Sequence, residues 1–311
     1  MTNSIPFGAR STADQVLAGI DLTGKRIVVT GCSSGLGFET MNALAANGAH
    51  VIGLARSFAD ANLACRKAGP FCIPLACDLA DLNSVAEAAA VIHALQSPLD
   101  AVVANAGIAQ LPTLRTRYDI ELQFLVNHVG HFALVNELSG QVRSGTGRIV
   151  IVSGAAGIHR APVEGIMFDN LDGGRFYEPA TFYGQSKLAN ALFAKELARR
   201  LSDRGVAVNS LDPGATRGTG IDRNLRPRAR VFRGALKMFA KPVQRGAATQ
   251  ALLAASPSIG GISGEYWSNC RIAEGNPLLQ DAGLAARLWE TTSDIVARHS
   301  VPIAGAMLEA A

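Results

Sequence analysis

Residues 26–37 read Arg-Ile-Val-Val-Thr-Gly-Cys-Ser-Ser-Gly-Leu-Gly, an apolar run followed at once by a glycine-rich turn. Arg26–Thr30 is a short apolar run rich in β-branched residues, which predicts a buried strand. Phe38–Asn47, rich in alanine and leucine, predicts the helix that follows. Glycine between them permits positive φ and lets the backbone approach a pyrophosphate at the helix N-terminus. The stretch therefore predicts a dinucleotide cradle formed by Gly31, Ser33, Ser34, Gly35, Leu36 and Gly37.

The rest of the chain alternates short apolar strands with helical stretches, which is typical of a parallel sheet covered by helices. Ile149–Val152 is apolar without alternation, as a strand buried on both faces requires. We predict an α/β fold: a Rossmann-type doubly wound parallel sheet with helices on both faces, in a single domain over residues 24–311 after an N-terminal leader over residues 1–23. The predicted strands are Arg26–Thr30, Val51–Ala55, Ile73–Ala76, Ala101–Ala104, Arg148–Val152 and Val206–Ser210, and the predicted helices include Ala13–Gly19, Leu82–Leu95, Asp119–Leu138 and Ser186–Leu201.

Composition argues against several classes of function. The net charge of +4 is too small to indicate nucleic-acid binding. The chain has no apolar run of about 18 residues that could span a membrane, and Met1–Arg10 lacks the pattern of a secretory signal. The cysteines match neither a C-x-x-C pair nor a zinc spacing, which indicates free thiols, a reducing compartment and a cytoplasmic protein. These cysteines are Cys32, Cys65, Cys72, Cys77 and Cys270.

Two smaller features have two interpretations each. His128 and His131 are spaced as a metal-ligating pair, but no third ligand is evident, so packing or hydrogen bonding is favoured and no metal is predicted. Cys32 lies in the glycine loop near a helix N-terminus, where a thiol can become more acidic. Redox sensing at Cys32 is the less favoured interpretation, and a small residue that fills the loop is the favoured one.

The end of the second predicted strand indicates the type of cofactor. An acidic residue there would accept hydrogen bonds from the adenosine ribose and repel a 2′-phosphate. Ala55 stands at that position instead, and Arg56 follows it. Because a guanidinium pairs well with a phosphate, we predict NADP(H) rather than NAD(H). The alternative is that Arg56 is a solvated surface charge.

Tyr183 and Lys187 are four residues apart, which places them on one face of a helix. A lysine ammonium in that position favours the tyrosinate and so lowers the pKa of the phenol. A phenol that gives or takes a proton beside a nicotinamide performs the chemistry of a carbonyl reductase or an alcohol dehydrogenase. Tyr183 is therefore the predicted acid/base.

The sequence resembles the short-chain dehydrogenase/reductase family over about residues 24–300. The motifs that carry the resemblance are Thr30–Gly37, Cys77-Asp78-Leu79, Asn105-Ala106-Gly107, Asn127, Tyr183-x-x-x-Lys187 and Asp212-Pro213-Gly214. Finer details resemble the retinol dehydrogenase-like branch and its soluble bacterial relatives. These details are Val126–Phe132, Phe168–Leu171, Ser186–Asn190, Gly264–Trp267 and Arg287–Glu290.

The resemblance implies a role for each matching position. Asn127 would hold a helix open around a water that relays protons to Lys187, and Lys187 would also bond the nicotinamide ribose. The chemistry would need no metal. The implied cofactor contacts are Asp78 and Leu79 at the adenine, Asn105, Ala106 and Gly107 along the cofactor, and Pro213, Gly214 and Thr216 at the carboxamide.

The chain departs from the family pattern at the end of the fifth predicted strand. The family has two serines there, the second of which polarises the substrate carbonyl, whereas this chain has Ser153 followed by Gly154. Neighbouring strand residues point to opposite faces, so Ser153 can replace the missing serine only if the backbone shifts. A water or another hydroxyl, such as that of Thr181, is an alternative, and so is a weakened or inactive NADPH-binding protein. Ser153 is retained as a predicted catalytic residue with Tyr183, Lys187 and Asn127.

Residues 215–245 are predicted to form a substrate lid. Arg217–Arg245 contains nine basic residues, one acid and several large apolar residues. Such a segment either caps an apolar pocket or lies on an anionic membrane surface, and the first interpretation is favoured. The expected substrate is a bulky apolar ketone, aldehyde or secondary alcohol, and the chain is expected to be a monomer or a homodimer. The candidate pocket residues are His159, Phe168, Tyr177, Phe182, Thr216 and Phe232.

Overall fold

A computed structural model describes residues 5–219 and 240–299 of the chain. Its strands are β1 (Arg26–Thr30), β2 (His50–Ala55), β3 (Cys72–Ala76), β4 (Ala101–Ala104), β5 (Thr116–Arg117), β6 (Ile120–Glu121), β7 (Arg148–Val152), β8 (Ala207–Asp212), β9 (Tyr266–Ser268) and β10 (Arg271–Ile272). Within the described ranges, eight of them form one sheet in the order β10-β9-β8-β7-β4-β1-β2-β3, and β5 pairs with β6 in a separate hairpin. The strands are parallel from β3 to β9, and β10 runs antiparallel to β9.

Helices pack against both faces of this sheet. They are α1 (Ala13–Leu17), α2 (Gly35–Ala46), α3 (Phe58–Ala68), α4 (Leu82–His93), α5 (Leu122–Phe124), α6 (Gly130–Ser139), α7 (Ala156–His159), α8 (Pro179–Arg200), α9 (Val243–Gly246), α10 (Ala248–Ala255) and α11 (Ala282–His299). A π-helical turn, Leu125–Val129, joins α5 to α6, and 3-10 turns in the described part of the chain are formed by Ser202–Arg204, Pro257–Ile259 and Pro277–Gln280.

Strand β1 shows why the sheet must be covered on both sides. Successive strand residues point to opposite faces. Val28 belongs to a core that includes α4, α6 and α8, whereas Ile27 and Val29 belong to a second core that includes α1, α2 and α10. All three side chains are buried. The prediction of a doubly wound parallel sheet is therefore confirmed.

The strand order reverses between β1 and β4. From that point β2 and β3 extend to one side, and β7 and β8 extend to the other. In open α/β sheets, ligands bind outside the carboxyl ends of the strands at such a reversal. Gly31, Asn105 and Ser153 directly follow β1, β4 and β7, so the topology brings these predicted site residues to one edge of the sheet.

The bounds of every predicted helix differ from the structure at one end or both, and two of these differences have a local cause. Helix α8 begins at Pro179 rather than Ser186, because proline suits the first helical turn and the Glu178 carboxylate accepts a hydrogen bond from the Thr181 amide. The helix predicted from Asp119 begins only at Leu122, because residues 116–121 form the β5–β6 hairpin. None of the helices in the described ranges is long and apolar enough to cross a membrane.

Part of the predicted N-terminal leader belongs to the core. Helix α1 begins after Thr12, whose side chain accepts from the Gln15 amide while the Gln15 side chain accepts from the Thr12 amide. Ala13, Val16 and Leu17 are buried in the same core as α2 and α10. Residues 13–17 therefore contribute packing to the sheet.

Candidate active site

The glycine loop after β1 has the conformation that the sequence predicts for a cradle. Gly31 has φ of +69° and Gly35 has φ of +60°, in the region that favours glycine. A Cβ atom at Gly37 would lie 2.3 Å from the Gly31 carbonyl oxygen and 2.5 Å from Asn105 Nδ2. The loop therefore closes on itself and on β4, and Ser34 stands at the N-cap of α2, whose first amides point toward the loop.

The Thr30 hydroxyl connects this loop to the neighbouring strands. Thr30 Oγ1 accepts hydrogen bonds from the amides of Asn105 and Ala106, each at 2.9 Å, and it contacts His131 Nε2 at 2.9 Å. Asn105 Nδ2 donates to the Thr30 carbonyl oxygen at 2.9 Å, and Gln250 Nε2 donates to Asn105 Oδ1 at 3.1 Å. Sequence reasoning identified Asn105 and Ala106, gave Thr30 no role of its own, expected packing or hydrogen bonding for His131, and missed Gln250.

His131 is held in one tautomer by these contacts. Its Nδ1 donates to the Asn127 carbonyl oxygen at 2.9 Å, so the neutral ring accepts the Thr30 hydroxyl proton at Nε2. Burial lowers the pKa of His131 to about 4, which keeps the ring neutral. His128 contacts a different partner, Thr292 Oγ1, at 3.0 Å, and burial lowers its pKa to about 3. Each of the two histidines thus has a separate hydrogen-bonding role.

Asn127 lies in the π-helical turn Leu125–Val129. Its Nδ2 donates to the Ile108 carbonyl oxygen and to Ser186 Oγ, both at 2.9 Å, and its Oδ1 accepts from the Ile108 amide at 2.8 Å. A Cβ atom at Gly107 would lie 3.2 Å from Asn127 Oδ1 and 3.5 Å from Lys187 Nζ. The widened turn therefore brings Asn127, Gly107 and Lys187 together, and such turns are frequent at functional sites.

Tyr183 and Lys187 lie one turn apart on α8. Lys187 Nζ is 5.8 Å from the centre of the Tyr183 ring and donates to the Val152 carbonyl oxygen at 3.1 Å. Burial lowers the pKa of Lys187 to about 8, and the nearby Asp212 carboxylate opposes this shift. A positive charge beside the phenol favours the tyrosinate, as the sequence interpretation requires.

The Ser153 hydroxyl is bonded to the main chain of α8. Ser153 Oγ donates to the Lys187 carbonyl oxygen at 2.6 Å, and the residue is 3% exposed. Gly154 has φ of +148°, a backbone conformation that other residues rarely adopt. The nearest atom to a Cβ built there would be Asp212 Oδ1 at 3.8 Å. The position of the usual second serine is therefore open, and its backbone is shaped for glycine.

Comparison with known proteins identifies the family. A sequence profile described as short chain dehydrogenase matches residues 25–166. The WW domain-containing oxidoreductase of Homo sapiens is 37% identical over 304 residues, which cover 93% of this chain and 72% of that protein. The chain belongs to the short-chain dehydrogenase/reductase family.

Two further relatives indicate the branch and the fold of this short-chain dehydrogenase. Retinol dehydrogenase 14 of Homo sapiens is 36% identical over 295 residues, which cover 88% of this chain and 86% of that protein. A solved structure of a protein from Mycobacterium paratuberculosis superposes with a TM-score of 0.72 at 27% identity, and the match covers 91% of this chain and 97% of that one. The predicted resemblance to retinol dehydrogenase-like proteins is confirmed.

Three residues of this short-chain dehydrogenase are predicted to contact the adenosine end of the cofactor. Arg56 directly follows β2 and is exposed. Asp78 is partly buried, and its Oδ1 accepts from the Ala80 amide at 3.0 Å, which fixes the turn after β3. Leu79 is buried, and a Cβ atom at Gly130 would lie 2.3 Å from its carbonyl oxygen. Leu79 thus lies against the start of α6, and the cofactor contacts of all three residues stay predictions.

Residues 212–216 form a tight turn on the other side of the site. The Gly214 amide donates to Asp212 Oδ1 and the Thr216 hydroxyl donates to the Gly214 carbonyl oxygen, both at 3.0 Å. Thr216 also pairs with Lys241 in a parallel bridge, and Lys241 Nζ donates to Asn269 Oδ1. Asp212 and Lys241 are polar groups at the site that the sequence interpretation did not assign.

The predicted lid and pocket are partly described. The Arg217 amide donates to the Lys241 carbonyl oxygen, and the Lys241 amide donates to the Ala215 carbonyl oxygen, both at 2.9 Å. These two bonds join the ends of the predicted lid. Residues 220–239, including Phe232 and most of the basic residues, lie outside the described residues. Phe182 is fully buried and packs on Tyr177, whose hydroxyl donates to the Leu111 carbonyl oxygen at 2.8 Å. The guanidinium carbon of Arg287 lies 4.0 Å from the centre of the Phe168 ring. His159 is the last residue of α7.

Proposed function

We propose that this chain is an NADP(H)-dependent oxidoreductase that acts on a bulky apolar ketone, aldehyde or secondary alcohol, with Tyr183 as acid/base. The observation that carries the proposal is the placement of Tyr183 and Lys187 on α8, beside the carboxyl ends of β4 and β7. The Lys187 ammonium lies beside the phenol ring and close to the Gly107 backbone. A proton donor and a charge that tunes it thus lie at the edge of the sheet where a ligand is expected.

The residues at this edge fit a dinucleotide. The glycines at 31 and 35 have positive φ, and position 37 has no room for a side chain, so the main chain of the loop can approach a pyrophosphate. Arg56 is exposed at the end of β2, and no acid stands before it. These features support binding of NADP(H) through the cradle and the 2′-phosphate. The bound cofactor would supply or accept the hydride.

The residues of the chain would move the proton. In the reducing direction, Tyr183 donates its phenolic proton to the substrate oxygen. Lys187 stabilises the resulting tyrosinate by its positive charge, and its position is fixed by the Val152 carbonyl oxygen. Asn127 stands behind Lys187, fixed by Ile108 and Ser186, where it can orient a proton relay. Oxidation of an alcohol uses the same groups in reverse.

Ser153 is the hydroxyl at the end of β7, and its bond to the Lys187 carbonyl oxygen holds it against α8. We propose that in the described conformation it supports Lys187 and leaves the substrate oxygen with one donor fewer than is usual in the family. Loss of one such donor typically lowers the rate by about 10²–10³. The enzyme is therefore expected to be slow on simple ketones.

A second candidate function rests on the conformation of Gly154. A backbone shaped for glycine at the usual serine position suits a protein that binds NADPH without catalysing hydride transfer. Intact Tyr183, Lys187 and Asn127 favour catalysis over this alternative. The two functions differ in turnover but share cofactor binding, so both can be measured on one preparation.

The test follows NADPH oxidation in the presence of bulky aldehydes, ketones and quinones. We expect turnover in the wild-type protein that is lost in Tyr183→Phe, because the phenol is the proton donor. Tyr118→Phe is the matched control, since the Tyr118 side chain contacts Asp81, Arg117 and His299, none of which is a predicted site residue. Equal turnover in wild type and Tyr183→Phe would reject Tyr183 as acid/base. Tight NADPH binding without turnover on any of these compounds would support the non-catalytic alternative.

A further inference from the structure

Three cysteine thiols converge beneath the glycine loop. Cys32 belongs to the loop itself, Cys65 to α3 and Cys72 to β3. Cys32 and Cys65 are buried in one core, against which Cys72 packs, and Cys65 Sγ lies 3.9 Å from Met41 Sδ. The three thiols are unpaired by disulfides. They come from sequence segments up to forty residues apart, so the sequence spacing did not reveal the cluster.

Gly53 provides the space for these sulfur atoms. A Cβ atom at Gly53 would lie 2.8 Å from Met41 Sδ, 2.9 Å from Cys65 Sγ and 3.1 Å from Cys32 Sγ. Glycine in the interior of a strand usually marks a close approach by another group. The thiols of Cys32 and Cys65 therefore share one small space beside Gly53 of β2, and Cys72 packs against the same core.

The cluster has a reactive centre and a connection to solvent. Interaction with Cys32 and Cys72 lowers the pKa of the Cys65 thiol, whereas interaction with Cys65 and burial raise the pKa of the other two. Cys65 is thus the thiol of the three most easily deprotonated. Cys32 and Cys65 are buried, but Cys72 on the edge strand is partly exposed. A small oxidant can therefore reach the cluster first at Cys72.

We propose that Cys72, Cys65 and Cys32 form a peroxide-sensitive thiol relay that ends in the cofactor loop. A peroxide oxidises the Cys72 thiol to a sulfenic acid and is itself reduced to water. The Cys65 thiol attacks the sulfenic sulfur, which forms the Cys65–Cys72 disulfide and releases water. The Cys32 thiol then attacks Cys65 Sγ, which forms the Cys32–Cys65 disulfide and returns the proton to Cys72 as its thiol leaves.

The relay would act on cofactor binding because of where Cys32 lies. Cys32 stands between Gly31 and Ser33, and its amide donates to the Leu54 carbonyl oxygen at 3.1 Å. A disulfide needs a sulfur–sulfur distance of about 2 Å, shorter than any contact between thiols, so bond formation pulls the loop toward α3. Helix α3 begins directly after Arg56 and the N-cap residue Ser57. The disulfide therefore distorts both the cradle and the proposed phosphate contact, and oxidation lowers the affinity for the dinucleotide.

The experiment treats the full-length protein with hydrogen peroxide and measures three quantities. We expect a loss of two of the five thiols, a Cys32–Cys65 or Cys65–Cys72 link in peptide mapping, and a several-fold weaker affinity for NADPH. Dithiothreitol should reverse all three. Cys65→Ser should prevent the links, and Cys72→Ser should slow them. Cys270→Ser is the matched control, because Cys270 contacts Thr249 and lies outside the cluster.

Mapping of the wild-type protein keeps the test independent of whether the variants fold. A peroxide-treated chain with no link within the cluster, or with links only to Cys77 or Cys270, would overturn the relay. A mapped Cys32–Cys65 link that leaves the NADPH affinity unchanged would overturn its effect on the cofactor. Reduced protein that binds neither NADPH nor NADH would contradict the proposed function instead, and the thiol mapping would still decide the relay.

Discussion

Ser153 donates its hydroxyl proton to the main-chain carbonyl oxygen of Lys187 at 2.6 Å. This bond connects the carboxyl end of β7 to the turn of α8 that carries the proposed catalytic lysine. At the same end of β7, the Val152 carbonyl oxygen accepts hydrogen bonds from Lys187 Nζ and from Asn190 Nδ2, each at 3.1 Å. The end of β7 thus holds α8 through both its main chain and its side chains.

Replacing Ser153 by alanine is expected to affect stability more than chemistry. The variant loses one buried hydrogen bond, which typically costs about 1 kcal/mol of unfolding free energy. We expect kcat to fall by less than tenfold, whereas the loss of an oxyanion donor typically lowers kcat by about 10²–10³. Urea unfolding and NADPH turnover, measured on the same preparation, check both values. A fall in kcat into the larger range would show that Ser153 leaves the Lys187 carbonyl and reaches the substrate.

Replacing Gly154 by serine is expected to destabilise the protein rather than to raise its turnover. Residues other than glycine at such φ values typically cost about 1–3 kcal/mol. Gly154→Ala is the matched control, because it adds the same strain without a hydroxyl. We expect similar losses of melting temperature in both variants and no gain of kcat in Gly154→Ser. Faster turnover in the serine variant alone would mean that the missing hydroxyl limits the rate and that the backbone adapts.

Asp212 is expected to set the pH range in which Lys187 is charged. The Asp212 carboxylate raises the pKa of Lys187, and burial, the larger effect, lowers it to about 8. Lys187 is a cation below that pKa, so removal of the negative charge in Asp212→Asn should move the alkaline limb of kcat/KM to lower pH. Asp169→Asn, in an exposed ion pair with Arg175, is the control and should leave the limb in place. A limb that stays at its wild-type pH in Asp212→Asn would reject the coupling.

Arg56 is expected to discriminate between the two nicotinamide cofactors. A hydrogen bond to a charged group contributes about 1.5–3 kcal/mol, so Arg56→Ala should weaken NADPH binding by about ten- to a hundredfold. The affinity for NADH should change little. Arg66→Ala, an exposed arginine later in α3, is the control. Fluorescence titration with both cofactors measures the ratio, and an unchanged ratio in Arg56→Ala would reject the NADP assignment.

The sequence predicted the parts of this fold that depend on local patterns. Strands β1, β4 and β7 have their predicted bounds, because each is a short apolar run with clear ends. The start of α8 was placed too late, since its first turn depends on a cap at Glu178 rather than on apolar spacing. The missed site residues share one property: their partners are distant in sequence. Thr30 contacts His131, and Gln250 contacts Asn105.

Gly154 illustrates the limit of sequence reasoning most clearly. Counting along the strand placed a glycine where relatives have serine, and glycine permits φ values that other residues avoid. Its value of +148° follows from how the chain leaves β7 to form α7, which no local pattern specifies. The direction of the Ser153 hydroxyl follows from the same backbone path. Both are properties of the assembled edge of the sheet.

The Thr30 hydroxyl uses all of its hydrogen-bonding capacity, with two amide donors and one imidazole acceptor. The two amides directly follow β4 and the imidazole lies on α6, so one oxygen atom of β1 bonds both to the neighbouring strand end and to a helix. Valine has nearly the same shape as threonine but would lose all three hydrogen bonds, whereas serine would keep them. The residue type at position 30 is therefore constrained by its hydrogen bonds rather than by its size. A redesign of either half of the sheet has to keep this hydroxyl oxygen in place.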